Sequence, residues 1–311
     1  MRIAIDLYAC QTGSHLRGIG RYVKDWSLAM AGTTPADDQA FYLANGTLDQ
    51  DFERVRRFLT PHVSPGQLKP YFHPAHLGQF QSGTRYREAS ALITQAYSLL
   101  DPDWLVVPSW MEGFGHPGLV PDLDNLPNST RKAAILYDLI PLIFEAQYLP
   151  KHLQSFRDFY LKRLESLREL DLYLALSEAT KRDAVTYLGL DPARIHVIYA
   201  GVSNQFQPRF YSEPEALRMG QHLGISKPFI FYVGNVDYRK NMHGAIQAFA
   251  KLPSPLRRSH QLVLNAVAEP HTFIRQLEQL GLNRDQVVLT GHISDTELVF
   301  LYNRCSVFFL P

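Results

Sequence analysis

The sequence predicts an α/β protein made of two Rossmann-like domains, each a doubly wound parallel sheet. Three observations predict it. The chain has 311 residues, and a single core seldom grows far beyond about 250 residues. Short β-branched and aromatic runs alternate with longer stretches of helical apolar spacing. A second series of the same kind begins near residue 229.

The first series comprises Ile3 to Leu7, Phe41 to Ala44, Trp104 to Val107, Ala133 to Leu136, Leu172 to Leu176 and His196 to Tyr199. Helical spacing falls between these runs, as in Tyr22 to Met30 and Leu153 to Leu170. Strands that alternate with helices need crossover connections, which make the sheet parallel and cover both of its faces. The second series comprises Phe229 to Val233, Leu262 to Val267, Val287 to Leu289 and Val307 to Leu310. Val202 to Pro228 carries Pro208, Pro214, Pro228 and Gly224 and reads as an inter-domain connection followed by a helix. The expected domains are 1–204 and 205–311. The last strand has no crossover helix after it, so the second domain is expected to be incomplete, as a fragment or as a chain that a partner completes.

Apolar residues make up 46% of the chain and charged residues 20%, as in a packed globular protein. Lys and Arg number 31 against 30 Asp and Glu. That balance leaves no basic field to hold nucleic acid. The two cysteines, Cys10 and Cys305, have neither disulfide-framework nor zinc spacing. A reducing cytoplasm fits them. The N-terminal MRIAIDLYAC reads as a strand, and no run approaches the roughly 18 apolar residues of a membrane span. Peripheral contact with the inner membrane stays open.

Five segments carry candidate chemistry or capping. The first strand runs into a loop with Gly18, Ile19 and Gly20 at the start of a helix. Glycines there let backbone amides approach a ligand, and a helix N-terminus favours negative charge; the alternative is a tight loop that needs positive φ. In the second domain, Gly234, Asn235, Arg239 and Lys240 follow a strand. Adjacent cations at the carboxyl end of a parallel strand can neutralise a diphosphate, or they are a solvated pair. Tyr137 and Asp138 end the run Ala133 to Leu136, and Ser177 reads as a helix cap. Glu112 to Gly118 reads as a cleft loop or a surface turn. No metal-ligand spacing, nucleophile elbow or Walker lysine occurs.

Together these segments resemble the retaining glycosyltransferases of family 4, which have the GT-B fold of two facing Rossmann-like domains. The carrying segments are Arg17 to Tyr22, Tyr137 to Pro141, Ala175 to Lys181, Ile195 to Val202, Tyr232 to Asn241, Gly291 to Leu298 and Leu301 to Pro311, in that order along nearly the whole chain. The resemblance implies that the Gly18 to Gly20 loop lies near the donor phosphates and the reacting sugar. It implies that Arg239 and Lys240 hold the diphosphate and that Gly291, His292 and Ile293 receive the nucleotide base. Tyr137 and Asp138 take the reacting-site positions. The family usually has His where Tyr137 stands, and many members have Arg in place of Asn235. Two family glutamates separated by seven residues, which contact the donor sugar and ribose, are not in this sequence. The 311-residue chain is therefore expected to transfer sugar poorly or not at all.

The implied activity is transfer of a sugar, with mannose the leading guess, from a nucleotide-diphosphate donor (GDP-mannose or a UDP-sugar) to a glycan or lipid-linked acceptor, with retention of configuration, in bacterial surface polysaccharide synthesis. No cofactor or metal is expected. Cations and helix N-termini can stabilise the leaving diphosphate, and in the family the leaving phosphate is commonly taken to accept the acceptor's proton. Acceptor contacts are expected from first-domain loops such as Gly46 to Ser82. The competing readings are a non-catalytic GT-B module that binds a glycan or a partner protein, a sugar-nucleotide epimerase, and a Rossmann dehydrogenase. The last is disfavoured because no Gly-x-Gly-x-x-Gly followed by an acidic residue opens either domain.

Overall fold

The computed structural model describes residues 1–72, 84–114, 126–234 and 237–311. It divides into two compact units, Met1–Gly201 and Val202–Pro311, three residues before the boundary read from the sequence.

The first unit contains β1 (Arg2–Asp6), α1 (Gly18–Thr33), β2 (Gln39–Asn45), α2 (Asp49–Leu59), β3 (Leu68–Tyr71), α3 (Thr84–Ser98), β4 (Trp104–Val107) and β5 (Arg131–Leu136). Then come the short α4 (Ile140–Ile143) and α5 (Glu145–Tyr148), followed by α6 (Gln154–Leu167), β6 (Leu172–Ala175), α7 (Glu178–Leu188) and β7 (Ile195–Val197). The seven strands form one sheet in the order β3-β2-β1-β4-β5-β6-β7, with every pairing parallel. The chain winds outward from β1 to β3, then returns to the other side of β1 with β4. Strand order therefore reverses between β1 and β4.

Side chains alternate through this sheet, and register sorts them into two cores. Ile5, Tyr42, Val106 and Ala133 lie in one row across four strands and share a cluster with Val23 of α1 and with Val55 and Leu59 of α2. Val107, Ala134, Tyr173 and Ile195 form a row on the opposite face. They pack with Ile93 and Tyr97 of α3, Leu164 and Leu167 of α6, and Ala184 and Leu188 of α7. A fully buried parallel sheet explains why these strands read as continuous apolar runs.

The second unit contains α8 (Glu213–His222), β8 (Phe229–Val233), α9 (Met242–Ala250), α10 (Ser254–Ser259), β9 (Gln261–Asn265), α11 (Pro270–Gln279), β10 (Val287–Leu289), α12 (Asp295–Arg304) and β11 (Val307–Phe308). Its sheet is also parallel, in the order β10-β9-β8-β11, so its strand order reverses between β8 and β11. Met242, Ile246 and Phe249 of α9 and Leu277 of α11 cover one face; Phe300 and Leu301 of α12 cover the other.

Two expectations change. Strand β3 is absent from the strand runs read in the sequence, and Gly46 to Ser82 is not simply a loop, because α2 and β3 lie inside it; residues 73–83 fall outside the described residues. Ser177 caps α7 as expected, accepting from the Thr180 amide at 3.0 Å, and Gly189 closes that helix at φ 66°.

Ile5 is fully buried where β2, β4 and α1 meet. Ile5→Ala is expected to cost about 2–4 kcal/mol in denaturant unfolding of the first unit, because it deletes packed methylenes and leaves a cavity.

Candidate functional site

In doubly wound sheets ligands bind beyond the carboxyl ends of the strands, where the strand order reverses. Each unit has one such place; the Gly18 to Gly20 loop and the Arg239–Lys240 turn follow strands that border it, whereas Tyr137 and Asp138 follow β5 and Gly291 to Ile293 follow the edge strand β10.

In the first unit, β1 ends at Asp6 and two 3-10 turns, Tyr8–Cys10 and Gly13–Leu16, lead into α1. Three polar clasps fix this connection. The buried Asp6 carboxyl accepts from the Tyr8 amide at 2.9 Å and from the Tyr97 hydroxyl. The Gln11 side chain donates to Asn45 O at 2.9 Å and accepts from Asn45 N at 2.7 Å. The Thr12 hydroxyl caps the second turn, accepting from the Ser14 amide at 3.1 Å, and donates to Glu112 at 2.8 Å. Helix α1 then starts at Gly18 with no side-chain cap, so its first-turn amides at Gly18, Ile19 and Gly20 are presented without a competing side-chain acceptor. The two glycines serve different needs. A Cβ on Gly18 would meet nothing within 4 Å, whereas one on Gly20 would collide with Ser14 O and lie 2.5 Å from His15 Cα. Neither has positive φ. The positive-φ reading of this loop is thereby corrected: Gly20 is required by close backbone approach.

Tyr137 follows β5. Its carbonyl accepts from the Thr180 hydroxyl at 2.9 Å, and its ring meets Tyr22 edge-on at 5.7 Å. Tyr22 in turn donates to Tyr199 O at 3.2 Å. The Tyr137 hydroxyl is buried without a hydrogen-bond partner among the described residues, and burial pushes its pKa far above the ordinary phenol value. Burial thus keeps the phenol neutral. Asp138 is exposed, and its carboxylate accepts from the Ile140 amide at 3.1 Å, so it also shapes the turn into α4. Glu112, read as part of a cleft loop or surface turn, is only 9% exposed. The rest of that segment from Gly115 lies outside the described residues. Cys10 is buried, and burial pushes its thiol up to about 12, which makes it inert.

In the second unit the cations sit after β8. Gly234 is held by its amide to Asn265 O at 3.2 Å, and a Cβ there would fall 2.6 Å from the Tyr232 hydroxyl. Tyr238–Lys240 forms a 3-10 turn capped by Asp237, which accepts from the Arg239 amide at 3.1 Å and lies 3.5 Å from the Arg239 guanidinium. Tyr232 donates to Lys240 O at 3.0 Å, which anchors the turn to β8. Lys240 has no acidic partner within salt-bridge distance among the described residues, and Asn241, at φ 49°, caps α9 directly after it. Asn235, a candidate phosphate contact, lies outside the described residues.

Gly291, His292 and Ile293 follow β10. Gly291 has φ 67°, His292 is exposed and Ile293 is half-buried. The structure joins this loop to the Gly234 loop through Asn265. At the end of β9, its side-chain amide donates to Gly291 O at 2.8 Å and to Thr290 at 3.1 Å, while its backbone carbonyl takes the Gly234 amide. Asn265 is not among the candidates read from the sequence, where it sits inside a strand run. A polar residue ending the apolar run Leu262 to Leu264 is the available signal. Among the described residues there is no cluster of three or more metal-ligating side chains and no helix long and apolar enough to cross a membrane.

The sequence model described as glycosyl transferases group 1 matches residues 219–311, and the one described as glycosyltransferase family 4 matches residues 135–206. The serotype-specific mannosyltransferase WbdA of Escherichia coli is 27% identical over 318 aligned residues, which take in 100% of this chain and 37% of that protein. The O-antigen chain mannosyltransferase B of Escherichia coli is 24% identical over 60% of this chain and 48% of its own length. This chain thus spans little more than a third of WbdA, and its match to the second relative takes in about half of that protein. Among solved structures, Anabaena HepE in complex with UDP-glucose superposes with a TM-score of 0.61 at 16% identity, covering 99% of this chain and 73% of that one. WaaG, a glycosyltransferase involved in lipopolysaccharide biosynthesis, gives 0.61 at 14% identity, covering 100% and 75%.

The glycine loop and the buried Asp6 give three tests that need no ligand. Gly18→Ala should leave the thermal midpoint unchanged or slightly higher, because Ala is the better helix former and has room. Gly20→Ala should destabilise by about 1–3 kcal/mol, because backbone must move. Burial also raises Asp6 to about 6, against the opposing hydrogen bond from Tyr97. The folded protein then holds a proton that the unfolded chain releases near pH 4, so this group's contribution favours the fold below about pH 4 and declines as pH rises through about 6. Unfolding midpoints measured from pH 4 to 7 should fall less steeply with pH in Asp6→Asn than in the unaltered chain.

Residues 135–206 match glycosyltransferase family 4 and residues 219–311 match glycosyl transferases group 1, in that order, on two parallel sheets with reversed strand order that have the GT-B fold.

Proposed function

We propose that the chain binds a nucleotide-diphosphate sugar, GDP-mannose first, for transfer of mannose to a growing surface polysaccharide or its lipid-linked precursor, and by itself turns the donor over poorly or not at all. The observation that carries this reading is the Tyr238–Lys240 turn. It places Arg239 and Lys240, the latter with no acidic partner among the described residues, beyond the carboxyl end of β8, where the second sheet reverses its strand order, inside the segment that matches the group 1 glycosyl transferases. In this reading the two cations take the diphosphate and stabilise the charge that develops as the glycosidic bond breaks. The loop Gly291, His292 and Ile293 receives the base, with Asn265 fixing its distance from Gly234.

The uncapped first turn of α1 at Gly18, Ile19 and Gly20 is assigned to the donor phosphates and reacting sugar, since oriented amides at a helix N-terminus favour anions. Tyr137, with its hydroxyl buried, lines the reacting-site position through its backbone and ring rather than through the hydroxyl. Asp138 stands beside it as an orienting acceptor. Neither is assigned as a base. The leaving phosphate takes the acceptor's proton, the transfer retains configuration, and no metal takes part. Mannose is preferred because WbdA and the O-antigen chain protein are mannosyltransferases. A lipid-linked acceptor places the reaction at the cytoplasmic membrane surface, with peripheral contact.

Titration calorimetry with GDP-mannose, GDP and UDP-glucose tests the donor half. GDP-mannose and GDP should bind, and Lys240→Ala or Arg239→Ala should each weaken binding about 10- to 100-fold, the loss of one charge-assisted contact of about 1.5–3 kcal/mol. Tight UDP-glucose binding with no response to GDP-mannose would move the donor to the UDP-sugars. Binding that neither substitution alters would remove the cation turn from the site. Transfer of radiolabel from GDP-mannose to polysaccharide primers tests the activity itself.

A further inference from the structure

The geometry points to Glu112 as a positioning residue that sets the glycine loop of the first unit through Thr12. Its catalytic consequence rests on the donor reading proposed above, but the positioning can be measured without it. Both carboxylate oxygens of Glu112 are engaged as acceptors, Oε2 from the Thr12 hydroxyl at 2.8 Å and Oε1 from the Ser109 hydroxyl at 3.0 Å. A buried carboxylate with two short donors holds those donors in fixed orientations.

The consequence for Thr12 is specific. A hydroxyl has one proton and two lone pairs. With the proton committed to Glu112, a lone pair is left for the Ser14 amide, which lies 3.1 Å away. The Thr12 carbonyl adds the His15 amide at 3.1 Å and the His15 ring nitrogen Nδ1 at 2.6 Å. Ser14 and His15 are also the backbone against which Gly20 is pressed, with no room for a Cβ. Glu112 thus reaches the first turn of α1 through Thr12, the Gly13–Leu16 turn and Gly20.

The other end of the chain of contacts is equally fixed. Glu112 follows Trp110, whose indole donates to Arg163 O at 2.9 Å and whose carbonyl accepts from Arg163 Nε at 2.8 Å, with the guanidinium stacked 4.4 Å over the ring. Arg163 lies on α6, which is packed on the sheet. The glycine loop is therefore braced to a helix on the opposite face of the sheet from α1, and its amides are ordered before any donor arrives. Preordering removes the entropy cost that a mobile loop would bear on binding.

Amide hydrogen exchange and nucleotide binding, measured on the whole chain, test this. In Thr12→Val the amides of Ser14 to Gly20 should exchange at least about tenfold faster with β1 unchanged. Glu112→Gln, which keeps one acceptor oxygen, should give an intermediate increase, and Thr12→Ser should restore the unaltered rates. The double variant T12V with E112Q should be no worse than T12V alone, because the two substitutions break the same contact. Unchanged exchange in T12V, or T12S no better than T12V, would overturn the positioning role. With GDP as probe, T12V should weaken binding about 5- to 20-fold and T12S should restore it to within about twofold. Faster exchange with unaltered GDP affinity would overturn the link to the donor. If the unaltered chain binds neither GDP nor UDP, the donor reading fails, while the exchange result still decides the role of Glu112.

Discussion

Parallel pairing is the constraint on which the rest of this structure depends. Each described strand in both sheets runs parallel to its neighbours, so every carboxyl end falls on one edge of its sheet and every return passes over a face. The faces are then committed to apolar packing, as the row Ile5, Tyr42, Val106 and Ala133 demonstrates. Polar and charged groups with no place in those faces collect in the loops at the carboxyl edge. The Thr12 and Gly20 loop, Tyr137, Lys240 and Asn265 all lie there for the same topological reason.

Within that edge, the two units place different groups in the proposed site. The first presents backbone amides at an uncapped helix start, kept in place by Asp6, Gln11 and Thr12. The second presents side-chain charge, with Asp237 capping the turn that carries Arg239 and Lys240. Asp237 lies 3.5 Å from Arg239 and also caps the turn. In both units the supporting contacts are hydrogen bonds, between side chains and backbone and, in the first unit, also between side chains. Among the described residues, none of them places a carboxylate within salt-bridge distance of Lys240.

What is legible in the sequence depends on the range of the interaction. Phe229 to Val233 and Trp104 to Val107 are readable because a doubly covered strand is a local run of apolar residues. Ser177 is readable because a cap acts three residues away. Strand β3, Leu-Lys-Pro-Tyr, is not: it is an edge strand with a proline and partial burial. Glu112 escapes because its meaning comes from Thr12, a hundred residues earlier, and Asn265 because its partner Gly291 lies 26 residues on. Gly20 looks like any loop glycine, since only the folded backbone shows Ser14 and His15 occupying the place of a side chain. The family resemblance assigns roles to Arg239, Lys240 and Gly291 to Ile293, but it does not indicate what holds those loops.

The central claim is that loops at the carboxyl edge of each sheet engage a nucleotide-diphosphate sugar. Amide hydrogen exchange of the whole chain with and without saturating GDP-mannose tests it most directly. The account predicts protection confined to the loops after β1, β8 and β10, including Gly18 to Gly20, Gly234 and Gly291 to Ile293. Protection at the opposite, amino-terminal edges of the sheets, or in only one of the two units, would contradict it.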